Sequence, residues 1–148
     1  MQSITIRLRI ITIQDNKVLL TYDSKNDFYF YVGGRLEYGE TVHEGAIREI
    51  KEECGVNTKF TFQKILYIRD FIDKDSDEHS LELFILGDIA TPDDLEGYKD
   101  PEFGGEKWLE WTDIDNLPEN LLPTKLTPKL IADFKEKFPN QGEYIGNI

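Results

Sequence analysis

The sequence predicts an α/β fold in which helices cover a mixed β-sheet. Three observations predict it: strand-like segments come first, one amphipathic helix follows them, and further strands lead to a closing helix. The 148 residues include 39% hydrophobic and 12% aromatic residues, which is enough for the core of one domain. No repeat, low-complexity tract or flexible linker divides the chain. We therefore expect one domain over residues 1–138 and a C-terminal tail over 139–148.

The first three strands are predicted from alternating polarity and from turn residues. Residues 4–13 alternate as a strand does, 14–17 form a turn, and 18–22 return as the hairpin partner. A third strand over 28–32 is expected to stop at Gly33–Gly34, because paired glycines break a strand. Such a glycine pair also lets a ligand approach the backbone closely.

The helix with the strongest sequence signals spans residues 41–54. Thr41 and Glu44 have the spacing of a capping box, apolar residues then recur every four positions, and Gly55 follows as a terminator. The apolar stripe consists of Val42, Ala46, Ile50 and Cys54.

The second half of the chain is predicted as strands closed by a helix. Strands are expected at 58–69 and 80–89, separated by an acidic loop over 70–79. A short strand at 107–112 and an amphipathic helix over 127–138 follow.

The acidic composition limits the classes of partner. Seventeen Lys and Arg against 29 Asp and Glu give a net charge of −12, which argues against nonspecific nucleic-acid binding. A phosphate-bearing ligand would need divalent cations to screen its charge. The apolar runs are too short for a membrane span, and the N-terminus lacks the pattern of a secretory signal. We therefore expect a cytoplasmic monomer or homodimer with a small-molecule ligand, no nucleic acid and no membrane.

Three glutamates share one side of the predicted helix. At 100° per residue, Glu49 and Glu53 lie about 40° apart and Glu52 about 60° further round. Oxygen ligands without His or Cys suit Mg²⁺ or Mn²⁺. On spacing alone, a solvated acidic helix paired with Arg48 and Lys51 is the commoner explanation.

The residues before this helix favour a metal–phosphate site over a solvated helix. Gly33–Gly34 offers backbone N–H groups, and Arg35 offers a guanidinium, both suited to phosphate oxygens. Aromatic side chains suited to stacking on a base are present at Tyr22, Phe28, Tyr31 and Tyr67, although each type is more often part of a core.

The same residues match a family signature at every fixed position. Gly34 is followed after five residues by Glu40 and after seven more by Arg48-Glu-Ile-Lys-Glu-Glu-Cys-Gly-Val56. This pattern resembles the Nudix box, and the chain is similar to MutT-like Nudix hydrolases over most of 1–138. The resemblance implies a Nudix-type α/β/α sandwich around a mixed sheet, and hydrolysis of a nucleoside diphosphate linked to another group X.

The resemblance also implies roles for individual residues. Glu49, Glu52 and Glu53 would be the ligands of Mg²⁺ or Mn²⁺, joined by the backbone carbonyl of Gly33 or Gly34. Arg48 would pair with Glu40 or Glu49 and orient it. Arg35, together with Gly34, would contact the substrate phosphate.

The general base is implied to be either a box glutamate or a glutamate on a late loop. Glu53 is the first candidate, with Glu52 beside it in the same box. Glu106 is the second candidate and Glu102 the third, although a solvated loop is an equally common role for these two acids.

Subgroup markers of the family are missing, so the substrate stays open. Thr21–Asp23 stands where MutT-type proteins carry Arg, and Val32 stands where many relatives carry Pro. Ile72 and Asp73 occupy the positions of the ADP-ribose and dinucleoside-polyphosphate markers. The short chain favours a nucleoside triphosphate or related small nucleotide, with ADP-ribose or a nucleotide sugar as the alternative. A non-catalytic nucleotide-sensing module is less favoured, because every box glutamate is present.

Overall fold

A computed structural model describes residues 2–99 and 104–148 of the chain. Within them the α-helices are α1 (Val42–Cys54) and α2 (Thr127–Lys135), and short 3₁₀ helices span Ile114–Asn116 and Thr124–Leu126. The strands are β1 (Thr5–Ile11), β2 (Ile13–Gln14), β3 (Lys17–Asp23), β4 (Phe28–Arg35), β5 (Lys59–Asp73), β6 (Glu78–Ala90), β7 (Lys107–Asp113), β8 (Leu121–Leu122) and β9 (Glu143–Gly146).

The strands form a mixed sheet with one helix packed in each of two cores. The strand order in the described residues is β2-β3-β4-β1-β6-β5-β9, with β7 beside β3 and β8 beside β4. Ala46 and Ile50 of α1 pack against Leu8 and Ile10 of β1, whereas Leu130 of α2 belongs to a second core. The predicted α/β/α sandwich around a mixed sheet is therefore confirmed.

The predicted long N-terminal hairpin is wrong. Of the predicted first strand, only the Ile13–Gln14 part, β2, pairs with β3, whereas β1 lies between β4 and β6. Leu8, Ile10 and Ile11 of β1 are all fully buried, so side chains on both faces of this strand need cover. A central position in the sheet lets other parts of the molecule pack on both faces of β1. The parallel pairing of β1 with β6 joins residues far apart in sequence, so the local pattern does not predict it.

Strand β4 continues through the two glycines, contrary to the prediction that it stops there. Arg9 pairs with Gly33 and Arg7 with Arg35 in the β1–β4 register. Gly33 has φ +147°, and a Cβ there would lie 1.9 Å from the carbonyl oxygen of Leu8. A glycine is therefore needed for the close approach of β4 to β1.

The predicted acidic loop over 70–79 is mostly strand. β5 and β6 form a long hairpin that pairs as far as Asp73 and Glu78, which leaves a short turn over 74–77. Asp73 stabilises this turn, because its carboxylate accepts the backbone N–H of Asp75 at 3.0 Å and the hydroxyl of Ser76 at 2.7 Å. Charged residues can be part of these strands because they form ion pairs on the sheet. Glu78 and Glu82 of β6 pair with Arg7 and Arg9 of β1, and Glu82 also pairs with Arg69 of β5.

The C-terminal part differs from the prediction in length and content. Helix α2 ends at Lys135, three residues before the predicted Phe138, and Lys137 and Phe138 both have positive φ. Strand β9 then pairs in parallel with β5. The predicted domain end at residue 138 stays a prediction. No helix in the described parts of the chain is long and apolar enough to cross a membrane.

Candidate active site

Helix α1 positions the three glutamates because both of its ends are capped as predicted. The Thr41 hydroxyl accepts the Glu44 N–H at 3.1 Å, and the Glu44 carboxylate accepts the Thr41 N–H at 3.3 Å. At the other end, the Gly55 N–H donates to the Lys51 carbonyl at 3.1 Å. With the ends held, the positions of the glutamates around the helix are determined.

Two of these glutamates contact the glycine pair of β4. A Cβ on Gly34 would lie 2.6 Å from Oε1 of Glu49 and 2.7 Å from its Oε2, so the carboxylate occupies the space that a side chain would fill. Oε2 of Glu53 accepts the Gly33 N–H at 3.2 Å. Glu49 is only 6% exposed, whereas Glu52 lies on the exposed side of the helix.

Arg48 connects the helix to the loop that precedes it. Its guanidinium donates to both oxygens of Glu40, at 2.6 and 3.0 Å, and to the Arg35 carbonyl at 2.9 Å. It also donates to Glu49 at 2.9 Å and to Glu52 at 3.3 Å. The guanidinium beside Glu40, with the Glu37 backbone N–H, lowers the pKa of that carboxyl to about 2.

The electrostatics of Glu49 favour a cation nearby. Burial raises the pKa of its carboxyl, and the positive charges of Arg48 and Arg9 offset only part of this effect, while Glu52 adds to it. A desolvated carboxylate beside others is stabilised by a hard divalent cation.

The donors fit such a cation in chemical type. They are all carboxylate or backbone oxygens, and Gly34 leaves room for the Glu49 carboxylate against the strand. In residues 2–99 and 104–148, however, no three acidic, His or Cys side chains converge as a metal site would require. The contacts explain this: Glu49 and Glu52 are turned toward Arg48, and Glu53 toward the Gly33 N–H.

A cavity of about 830 Å³ opens in front of the glutamates. Two buried donors in its wall, the Nε of Arg7 and the hydroxyl of Thr21, make no hydrogen bond within the described residues. Polar atoms of a ligand would satisfy them. The lining residues are Arg7, Arg9, Thr21, Phe28, Phe30, Gly33, Gly34, Arg35, Glu49, Glu52, Glu53, Arg69, Phe71, Glu78, Glu82, Phe84, Lys107, Leu109, Leu122, Pro123, Thr124, Lys125 and Ile148.

The late-loop candidates lie elsewhere. Glu106 is exposed and does not line the cavity formed by the described residues. Its backbone oxygen accepts the N–H of Ser24 at 3.0 Å and the Ser24 hydroxyl at 2.6 Å. Its role as a base stays a prediction, and Glu102 lies outside the described residues.

Of the four aromatic candidates for base stacking, Phe28 alone lines the cavity as the described residues form it. Tyr31 and Tyr67 are buried in the core around Phe84. Tyr22 instead packs against Tyr29, with ring centroids 4.7 Å apart.

Sequence reasoning missed the charged and aromatic side chains that the sheet contributes to the cavity lining. These are Arg7 and Arg9 of β1, Glu82 of β6, and Arg69 and Phe71 of β5. The signal that could have found them is the alternation of charged with buried apolar residues in a central strand, as in Arg7-Leu8-Arg9-Ile10.

Comparisons with known proteins agree with the box and the fold. The family model described as "NUDIX domain" matches residues 5–131, which confirms the resemblance drawn from residues 34–56. The chain is 34% identical over 114 residues to an ADP-ribose pyrophosphatase of Methanocaldococcus jannaschii, covering 72% of this chain and 60% of that protein. It is 31% identical over 104 residues to the uncharacterized Nudix hydrolase YvcI of Bacillus subtilis, covering 70% of this chain and 65% of that protein. The matches thus span less than two thirds of these two relatives.

Solved structures share the fold at low sequence identity. A NUDIX hydrolase from Nitrosomonas europaea has a TM-score of 0.71 at 17% identity, with 100% of this chain and 80% of that chain covered. A MutT NUDIX hydrolase from Burkholderia pseudomallei has a TM-score of 0.65 at 20% identity, with 86% and 97% covered. At such identities the likeness concerns the fold alone.

Proposed function

This chain belongs to the Nudix family, and from that premise we propose that it is a divalent-cation-dependent pyrophosphohydrolase. Its substrate would be a nucleoside diphosphate linked to a further group X. The observation that carries the proposal is the position of Glu49 and Glu53 against Gly33–Gly34, at the wall of a cavity large enough for a nucleotide.

The cation would be held by the box carboxylates. Glu49, Glu52 and Glu53 would supply side-chain oxygens, and the backbone carbonyl of Gly34 or Gly33 would join them. Bound Mg²⁺ or Mn²⁺ would neutralise pyrophosphate charge and lower the pKa of a water molecule.

The chain's own residues then orient the reactants and move the proton. Glu53 accepts the proton of the attacking water, with Glu52 or Glu106 as the alternative bases. The water oxygen bonds to one phosphorus, the P–O bond of the anhydride breaks, and the bridging oxygen leaves on the other phosphate. Products are two phosphate-bearing fragments.

Arg48 acts as a positioning residue in this proposal. Its contacts to Glu40, Glu49 and the Arg35 carbonyl hold the loop, the buried carboxylate and the helix in one arrangement. Arg35, which is exposed and lines the cavity, and the Gly34 backbone would contact the substrate phosphates.

The first candidate substrate is a nucleoside triphosphate or related small nucleotide. The second is ADP-ribose or another nucleotide sugar, which the name of the Methanocaldococcus jannaschii relative favours. The cytoplasmic location, the monomeric or dimeric state and the lack of a nucleic-acid partner stay predictions.

Product analysis over a substrate panel tests the proposal. The panel contains nucleoside triphosphates, ADP-ribose, nucleotide sugars and dinucleoside polyphosphates, each with Mg²⁺ or Mn²⁺ and again with chelator. Release of pyrophosphate or phosphate supports the first candidate, and release of a sugar phosphate supports the second. Tight binding without cleavage of any member would contradict the enzyme and favour a sensor module.

A further inference from the structure

A second group of charged side chains lies along the sheet, from Arg9 of β1, which pairs with Gly33, to Arg69 of β5. We call Arg9, Glu82 and Arg69 the arginine cluster. Arg9 Nε donates to one oxygen of Glu82 at 3.0 Å, and Arg69 Nη1 donates to the other oxygen. Arg69 is 8% exposed and Glu82 4% exposed, whereas Arg9 is half-buried. One carboxylate thus serves two guanidinium groups.

The cluster and its neighbour Arg7 carry more positive than negative side-chain charge. Arg7 pairs with Glu78 at 2.5 Å, which brings the count to three guanidinium groups and two carboxylates. The other Arg69 donors contact the backbone oxygen of Ile148, at 2.7 and 3.2 Å, and Arg9 Nη1 contacts the Tyr31 carbonyl at 3.4 Å. One positive side-chain charge is thus left over within this group, and a bound anion would offset it.

Aromatic rings hold the two guanidinium groups in place. The guanidinium carbon of Arg9 lies 5.6 Å from the centre of the Phe30 ring, and that of Arg69 lies 5.1 Å from the centre of the Phe71 ring. Both rings line the same cavity. The arginines are therefore oriented before any ligand binds.

The register of the sheet sets how far the cluster lies from the glycine pair. The order β4-β1-β6-β5 separates Gly34 from Arg69 by three strand spacings, about 14 Å at the usual distance between strands. The arginine side chains extend over part of that gap. One nucleotide can therefore place its pyrophosphate near Gly34 and a second anionic group at the Arg69 end of the cluster, whereas Arg9 lies on the strand next to the glycine pair.

We propose that the arginine cluster binds a phosphate group of the substrate remote from the pyrophosphate that is cleaved. The expected substrate class is a nucleotide with an additional phosphate monoester, favoured over the same nucleotide without it. A phosphate suits the cluster because its oxygens accept charge-assisted hydrogen bonds from guanidinium N–H groups. The inference rests on the proposed function, since it concerns the same cavity.

Matched compounds test this preference. NADPH and NADH differ by one phosphate on the adenosine ribose, as do coenzyme A and dephospho-coenzyme A. Hydrolysis is followed by product release, and the readout is the ratio of kcat/KM within each pair. Binding is measured separately by calorimetry on Glu53→Gln, so that a preference is visible even without turnover. We expect at least one pair to favour the phosphorylated member by about tenfold or more, in line with one charge-assisted interaction.

Arg69→Gln is the diagnostic variant. It leaves Arg9 paired with Glu82, and we expect the ratio within the favoured pair to fall by about tenfold. A general loss of activity does not move this ratio. Arg69→Lys should keep part of the preference, and Lys59→Gln, an exposed change on the same strand, should keep all of it. Circular dichroism and melting curves check the fold of each variant.

The outcomes separate the two proposals. Hydrolysis without any preference, or a preference that Arg69→Gln leaves unchanged, overturns the cluster as a substrate-phosphate site. Preferential binding without hydrolysis supports the cluster and contradicts the enzyme. Inorganic phosphate that binds in an Arg69-dependent way, with no preference in either pair, overturns the substrate assignment because a free phosphate is then the ligand. Absence of binding and hydrolysis for all four compounds also overturns it.

Discussion

Two regions beside the cavity, the acidic side on α1 and the basic side on the sheet, carry opposite charge imbalances built from the same kinds of side chain. On the α1 side, one guanidinium, that of Arg48, faces the carboxylates of Glu37, Glu40, Glu49 and Glu52 within 4.0 Å. On the sheet side, one carboxylate, that of Glu82, faces two guanidinium groups. The first arrangement can accept a cation and the second an anion, so the proposed substrate, a metal-bound pyrophosphate with a further phosphate, would complement both.

The largest expected effect on turnover comes from the acidic side, when the carboxyl charge of Glu53 is removed. Glu53→Gln should lower kcat by about 10² to 10⁴-fold, because it removes a cation ligand and the first candidate for the general base. The fold should persist, since the half-buried side chain does not fill the core. The measurement is turnover of the best panel substrate, with the exposed Glu119→Gln as control. Equal turnover in both variants would remove Glu53 from the site.

Removing the shared carboxylate tests the basic side. Glu82→Gln leaves two arginines without a charged partner and should destabilise the fold by about 3 kcal/mol. Urea unfolding measures this, with the exposed Asp88→Asn on the same strand as control. Inorganic phosphate should then raise the melting temperature of the variant more than that of the wild type. An equal response to phosphate would contradict the charge imbalance on this side.

Removing the shared arginine is the mirror experiment on the acidic side. Arg48→Met leaves the buried Glu49 without its main cation and should lower the free energy of unfolding by about 2 kcal/mol. This is less than for a fully buried ion pair, because the carboxylates around Arg48 are open to water on one side. Such a loss lowers the melting temperature by about 4 to 8 °C. Mg²⁺ or Mn²⁺ should restore more of it than in the wild type. A variant as stable as the wild type would show that Arg48 does not stabilise the carboxylates around it.

The smallest expected effect comes from filling the space beside Glu49. Gly34→Ala would push the Glu49 carboxylate away from the strand, and we expect kcat/KM to fall by about tenfold with little loss of stability. Gly142→Asn is the control, because nothing lies within 4 Å of a Cβ there and Asn tolerates the positive φ of 63°. Full activity of Gly34→Ala would mean that Glu49 does not need its observed position.

Local sequence signals predicted the acidic side of the cavity well. Helix α1 begins after Thr41 and ends at Cys54 as its capping box and Gly55 indicate, because these interactions connect residues a few positions apart. The same spacing places Glu49, Glu52 and Glu53 on one side of the helix. The pairing of Arg48 with Glu40 also follows from residues close in sequence.

The basic side depends on contacts that no local pattern contains. Arg9, Arg69 and Glu82 meet because β1 pairs in parallel with β6 and β5 pairs antiparallel with β6, in registers that bring residues far apart in sequence together. The reason for glycine at position 33 is likewise the approach of β1, which the sequence of β4 does not reveal.

Helix periodicity, capping and the box residues thus follow from the amino-acid sequence, because their interactions span one or two helical turns. Strand order, register and the ion pairs between neighbouring strands are set only when the whole sheet forms. The physical reason is that a strand specifies which side chains share a face, but its neighbours are chosen by the burial of both faces against the rest of the molecule.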